Sequence, residues 1–183
     1  MMKLAQVLKE MFNNRTITNI ITPILLLSCQ KKLPSKFEHL TSDFDKMTQN
    51  YLKFNVPTIT IDEIDSSAHY LLIDCRSSEE YSVSTINGAI NIEKPSSAAD
   101  ILQKYNKDNP IVVFCSIGYR SEKMTNSLIK LGYKNTNNLY GSIFEWANRG
   151  LPLHNKNKPT DTIHTYNRNW SKWITNKQLT KTW

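Results

Sequence analysis

From Thr58 onward, short apolar runs alternate with segments whose apolar residues recur every three or four positions. Thr60 with Asp62 and Glu63 predicts a capped helix over 61–68, because acids suit the positive end of the helix dipole. Tyr70-Leu71-Leu72-Ile73-Asp74 is a continuous apolar run, as a strand buried on both faces requires. A helix start at 78–81, a strand at 89–92 and a helix capped by Ser96 or Ser97 and reaching Tyr105 come next. Asn109-Pro110 breaks the chain. Ile111-Val112-Val113-Phe114 is the strongest strand, apolar and β-branched. The spacing of Met124, Leu128 and Leu131 predicts a helix over 121–131, ended by Gly132. A short strand at 138–139 and a helix over 143–149, closed by Gly150 and Pro152, complete the series. Strands alternating with helices imply a parallel sheet covered on both faces.

Upstream, the apolar run over 16–28 ends in Leu25-Leu26-Leu27-Ser28 directly before Cys29, and Lys3, Lys9 and Arg15 precede it. A basic start, about a dozen apolar residues and a small residue at the cut site describe an export signal. The run is short of the roughly 20 residues of a transmembrane helix. Leu26-Leu27-Ser28-Cys29 also resembles the lipobox of bacterial lipoproteins, which implies cleavage before Cys29 and lipidation of its sulfur. Met11 is an alternative start. The expected organisation is a signal over 1–28, a polar tether over 29–55, a domain over 56–153 and a basic, aromatic extension over 154–183. The protein is then exported and lipid-anchored on the periplasmic side; a cytoplasmic location is the alternative.

Charge sharpens this division. Residues 56–153 carry 9 basic and 11 acidic side chains, against 8 and 4 in 1–55 and 6 and 1 in 154–183. A nucleic-acid-binding core would hold the positive charge itself, so no nucleic-acid partner is expected. The tail's Tyr166, Trp170, Trp173 and Trp183 are expected to pack back on the domain, since six basic residues make no dense patch, and His154 and His164 are too isolated for a metal site. Cys29, Cys75 and Cys115 form neither a disulfide framework nor a zinc pattern. With no phosphate-binding glycine loop and no ligand cluster, no metal, nucleotide or organic cofactor is expected.

The chemistry concentrates in Cys115-Ser116-Ile117-Gly118-Tyr119-Arg120, between the strongest strand and the helix starting at Ser121. A turn of this length aims backbone N–H groups inward and begins a helix at its far side, which makes an anion cradle and lowers a thiol's pKa. Gly118 permits a left-handed backbone, and Arg120 adds a charge and a planar donor fork. Cys115 and Arg120 are therefore the candidate catalytic pair, with Ser116, Ile117, Gly118, Tyr119 and Ser121 around the substrate.

This loop resembles the active-site loop of rhodaneses. Leu72-Ile73-Asp74-Cys75-Arg76, Glu79-Glu80-Tyr81 and Ile86-Asn87-Gly88-Ala89 resemble the upstream signature of that family, and Leu139-Tyr140-Gly141 through Trp146 with Gly150-Leu151-Pro152 its closing segment. The resemblance implies a three-layer α/β fold with a mostly parallel five-stranded sheet between helices. It implies a cysteine that takes sulfane sulfur, from thiosulfate or a persulfide or polysulfide, and passes it to a thiol or cyanide. It also implies an ion pair of Asp74 and Arg76 near the loop, in a bracing or a substrate role. Cys75 between them is expected in the core, with a resolving-thiol role as the lesser option. Two departures stand out: Ser84-Thr85-Ile86 where rhodaneses have Gly-His-Ile, and Gly141-Ser142 where they have Gly-Gly. Both are expected to stand clear of the loop. Rival readings are a phosphatase or arsenate reductase, whose loop leaves five residues before its arginine where this chain leaves four, and a non-catalytic anion- or partner-binding module.

Overall fold

The computed structural model describes residues 33–37, 42–65 and 67–183. The export signal and Cys29 lie outside the described residues. The sheet is built from β1 (Thr58–Ile59), β2 (Leu71–Asp74), β3 (Ile90–Asn91), β4 (Ile111–Phe114) and β5 (Thr136–Leu139). Its order is β1-β5-β4-β2-β3 and every pairing is parallel. The apolar β-branched β4 lies at the centre and is buried along its whole length. Parallel strands need crossovers, and α2 (Ser78–Val83), α3 (Pro95–Leu102) and α4 (Tyr119–Lys130) supply three of them; α5 (Ser142–Asn148) follows β5, and α1 (Asp43–Tyr51) precedes β1.

Side-chain alternation divides the core. Ile73, Ile111 and Val113 pack with Ala98 and Leu102 of α3 and Met124 and Leu128 of α4. Val112, Phe114 and Leu139 face the other way, onto Ile143, Phe144 and Ala147 of α5 and Phe44 of α1. The three-layer α/β architecture matches the expectation.

Several boundaries differ for local reasons. The helix predicted over 61–68 is one 3-10 turn, Ile61–Glu63, because the Asp65 carboxylate accepts the Ser67 N–H at 2.8 Å and bends the chain away. The cap of α3 is Lys94, not Ser96 or Ser97, since Pro95 is preorganised for the first helical position. That helix stops at Leu102, before Tyr105. Gly118, in the left-handed region at φ 113°, begins α4 two residues earlier than predicted.

The segment read as a polar tether is partly structured. Ser42 caps α1 by accepting the Asp45 N–H, and Phe37 and Leu52 are buried beside Tyr140. The Glu122 carboxylate of α4 accepts the Lys53 N–H at 2.9 Å. At the other end, β6 (Leu153–Asn155) and β7 (Lys158–Thr160) form a hairpin, with β8 (Thr162–His164) and β9 (Thr180–Thr182) paired beyond it. Thr85 bridges to His154, while Ile163, Ile174, Trp170 and Trp173 pack onto the α5 face of the core.

Candidate functional site

Cys115 leaves β4 at its carboxyl end, where open parallel sheets place their ligands. The residue is 1% exposed. Its sulfur nonetheless has a ring of donors: the Gly118 N–H at 3.2 Å and the Ser121 hydroxyl at 3.5 Å. The single Ser121 hydroxyl proton is shared with Asn138 of β5, whose Oδ1 lies 2.6 Å away and whose Nδ2 donates to the Gly118 carbonyl at 3.2 Å. The loop's own carbonyls are satisfied by the start of α5: Ile143 N–H donates to Cys115 and Phe144 N–H to Ser116, each at 3.1 Å. The first-turn amides of one helix thus hold the loop that cradles the sulfur.

Cys75 is the neighbour that the sequence pattern did not bring forward. Asp74 pairs with Phe114 in the β2–β4 ladder, and the Cys75 N–H continues it to the Phe114 carbonyl at 2.9 Å. The two cysteines therefore leave adjacent strands in register and on the same face. Burial pushes the Cys75 thiol well up, and the neighbouring Cys115 and Asp74 add to this. Burial also opposes ionisation of Cys115. The hydrogen bond from Cys75, the Arg120 charge and the donors of Ser121 outweigh it, leaving Cys115 well below the ordinary thiol range.

Arg120 rides on the first turn of α4. Its fork is occupied: Nη1 and Nη2 donate to the two Glu80 oxygens at 2.6 and 2.8 Å, and Nη2 donates to the Ser116 hydroxyl at 2.9 Å. Glu80 is 3% exposed at its side chain against 34% for Arg120. Burial works against the Glu80 carboxylate, but Arg120 and the Ser77 N–H hold it below its usual range. The free oxyanion fork expected of Arg120 is thus a braced one, and Glu80 is the brace. Glu80 also closes a capping box with Ser77 at the start of α2, the one local signal that could have singled it out.

Asp74 and Arg76 are both fully buried, in a forked pair with contacts of 2.7 to 3.2 Å. Arg76 also donates to the Ser84 carbonyl. Neither lines the cavity over Cys115, so the arrangement favours bracing over substrate contact. Thr85, at the position of the family's signature histidine, donates its hydroxyl to Asp74 at 2.8 Å. The second departure behaves otherwise than expected. Ser142 is fully buried at φ 52°, and its hydroxyl accepts the Cys115 N–H at 3.1 Å while donating to the Leu139 carbonyl at 3.0 Å. Far from standing clear of the loop, it pins the backbone of Cys115.

A cavity of about 250 Å³ opens over Cys115. Of the residues expected at the site, Cys115, Ser116, Ile117, Tyr119 and Arg120 line it, and Gly118 and Ser121 touch the sulfur from behind. Tyr51 of α1 and Tyr166 and Trp170 of the C-terminal segment complete the walls. They lie 64, 51 and 55 positions from Cys115 along the chain, too far for any local pattern to associate them. Among the described residues, no group of three or more His, Cys, Asp or Glu side chains could hold a metal ion.

The Rhodanese-like domain family matches residues 57–149. The chain belongs to the rhodanese-like family. Over 114 residues it is 33% identical to the tRNA uridine(34) hydroxylase of Yersinia pestis, covering 57% of this chain and 31% of that protein. The chain thus spans under a third of the length of the curated relatives that it matches. Among solved structures, a rhodanese-like domain from Anabaena sp. covers 55% of this chain and 80% of its own at 19% identity and a TM-score of 0.50, a likeness of fold. A rhodanese-like domain protein from Staphylococcus aureus is 28% identical and covers 55% of this chain and 99% of its own, with a TM-score of 0.47.

Proposed function

We propose that this rhodanese-like protein is a sulfurtransferase that carries sulfane sulfur as a persulfide on Cys115. The observation behind this reading is the donor ring on a buried sulfur at the floor of an open cavity. A thiolate stabilised there attacks the outer sulfur of a sulfane donor. The new S–S bond forms at Cys115, and the electron pair of the broken bond leaves with the donor's remainder, a thiolate or sulfite. A thiol or cyanide acceptor then attacks the outer sulfur and returns Cys115 as a thiolate. Arg120, Ser116 and Glu80 form one hydrogen-bonded wall beside the sulfur. Arg120 supplies the site's cation and Glu80 fixes its direction.

Two other chemistries are less well supported. Phosphoryl or arsenate chemistry needs a wide cradle and a free arginine fork, whereas four residues separate Cys115 from Arg120 and the fork is held by Glu80. Action on tRNA is named for relatives more than three times the aligned length, and residues 56–153 of this chain are net acidic. We also infer, from the lipobox-like run before Cys29, that the protein is exported and lipid-anchored. Loss of the protein from the membrane fraction in a Cys29→Ser chain tests this separately.

Intact mass of the protein after incubation with thiosulfate or an organic persulfide, beside Cys115→Ser, tests the transferase reading. One added sulfur on the wild type alone, removed by cyanide, is the expected result. No adduct from any sulfane donor would leave an anion- or partner-binding module as the better account.

A further inference from the structure

We propose that the cavity over Cys115 selects organic sulfane donors, persulfides or thiosulfonates bearing an apolar or aromatic group, over the thiosulfate dianion. This rests on Cys115 being the sulfur acceptor and names the donor class. The first observation is the composition of the walls: Tyr51, Tyr119, Tyr166, Trp170 and Ile117 surround the sulfur. The Tyr51 ring lies 5.4 Å from that of Trp170 and 6.1 Å from that of Tyr119. Tyr51, Tyr119 and Tyr166 are also three of the five large apolar side chains that the described residues leave exposed. Exposed aromatics gathered on one mouth mark a place where an apolar group is expected.

The second observation is electrostatic. Arg120 is the cavity's only cationic lining residue among those described, and its charge is already matched. Glu80 takes two of its N–H bonds, and the Tyr166 ring lies 5.5 Å from its guanidinium carbon. A dianion entering an apolar cavity must shed its water and finds no unmatched cation in exchange. A thiosulfonate carries one charge instead of two and a protonated persulfide none, so each sheds less water, and its organic group gains the aromatic walls.

The third observation is where the walls come from. Tyr51, Tyr166 and Trp170 all lie outside the 57–149 stretch that the family matches. They are nonetheless firmly seated. Glu122 ties the chain just after α1, and Asn148 of α5 donates to the Trp173 carbonyl at 2.9 Å and accepts the Thr175 N–H at 2.7 Å. The shared fold supplies the sulfur carrier, and this chain's own flanking segments supply the selectivity.

With an arenethiosulfonate the step balances simply. The Cys115 thiolate attacks the outer sulfur, the S–S bond to the sulfonyl group breaks, and arenesulfinate leaves with the electron pair. With an organic persulfide the organic thiolate leaves and the proton stays on the Cys115 persulfide.

The test compares kcat/KM for benzenethiosulfonate, methanethiosulfonate and thiosulfate in the full chain, with cyanide as acceptor and thiocyanate as the readout. The expected order is benzene, methane, thiosulfate. Trp170→Ala and Tyr166→Ala should each lower the ratio of kcat/KM for the benzene donor to that for thiosulfate by about tenfold, while Trp170→Phe keeps the ratio. Tyr166 is more than half exposed, so its truncation leaves the fold intact. Thiosulfate turned over as well as the aromatic donor, or both falling in parallel in the variants, would overturn the selectivity alone. Thiocyanate from no donor would overturn the transferase reading together with it.

Discussion

Cys75 and Cys115 leave neighbouring parallel strands at the same level, about 4.7–4.9 Å apart in the ladder direction, and both are buried. Their thiols are driven in opposite directions, Cys75 up and Cys115 down. Burial is the first cause at both, so burial cannot explain the difference. The difference lies in the turn after each strand. After β2 the chain turns into Arg76, whose fork is closed on Asp74, so the Cys115 sulfur beside Cys75, and after it the Asp74 carboxylate, discourage a second negative charge. After β4 the chain turns through left-handed Gly118 into α4, which delivers an amide, a hydroxyl and Arg120 to the sulfur side. A buried thiol becomes an anion where donors outnumber acceptors around it.

The ion pairs at the two strand ends should separate most clearly in stability. Asp74→Asn leaves the fully buried Arg76 guanidinium without a countercharge, and a loss of about 3–5 kcal/mol is expected in urea unfolding. A loss below about 1 kcal/mol would mean that Arg76 is solvated after all. Gly118→Ala comes next. A methyl group there meets Leu52 Cδ2 at 3.2 Å at a φ of 113°, and a penalty of about 1–3 kcal/mol should accompany slower sulfur loading. Unchanged loading kinetics would show that the loop keeps its cradle without a glycine at this left-handed position.

Glu80→Gln is expected to cost less than Asp74→Asn, about 1–3 kcal/mol, since water reaches Arg120 from the cavity. It should also raise kcat/KM for thiosulfate severalfold by unmasking the cation. A fall instead would make Glu80's positioning of Arg120 more important than its charge. The smallest effect concerns the cysteines themselves. In the wild type, iodoacetamide alkylation of Cys115 should level off well below the pH at which ordinary thiols ionise, because the folded-state pKa is depressed. Cys75→Ala removes a donor to that thiolate, so the midpoint should move up and the rate at neutral pH should fall. A midpoint unmoved by Cys75→Ala would assign the whole depression to Arg120, Ser121 and the loop amide.

Much of this architecture was legible from the chain alone. Ile111-Val112-Val113-Phe114 is the central buried strand because four consecutive apolar residues can be buried on both faces only between helices. The strand–loop–helix around Cys115 was readable from the same pattern together with Gly118 and Arg120. Local competition explains the misplaced ends. The Asp65 side chain cuts a helix short, and Pro95 and Gly118 start two others early. Side-chain partners were less legible. Ser142 reads as a departure in a glycine pair, yet it accepts the amide of Cys115 across 27 positions.

The sequence by itself determined which cysteine is the candidate for reaction, because the determinants of the Cys115 loop are contiguous and act through backbone geometry and helix starts. Only the tertiary structure decided what surrounds that sulfur. Cys75 reaches it through the β2–β4 register, Glu80 through the packing of α2 against the loop, and Tyr51 and Trp170 through segments folded over the mouth. These contacts depend on where separate elements come to rest, and hydrophobic periodicity records which face of an element is buried but not which residue it meets there.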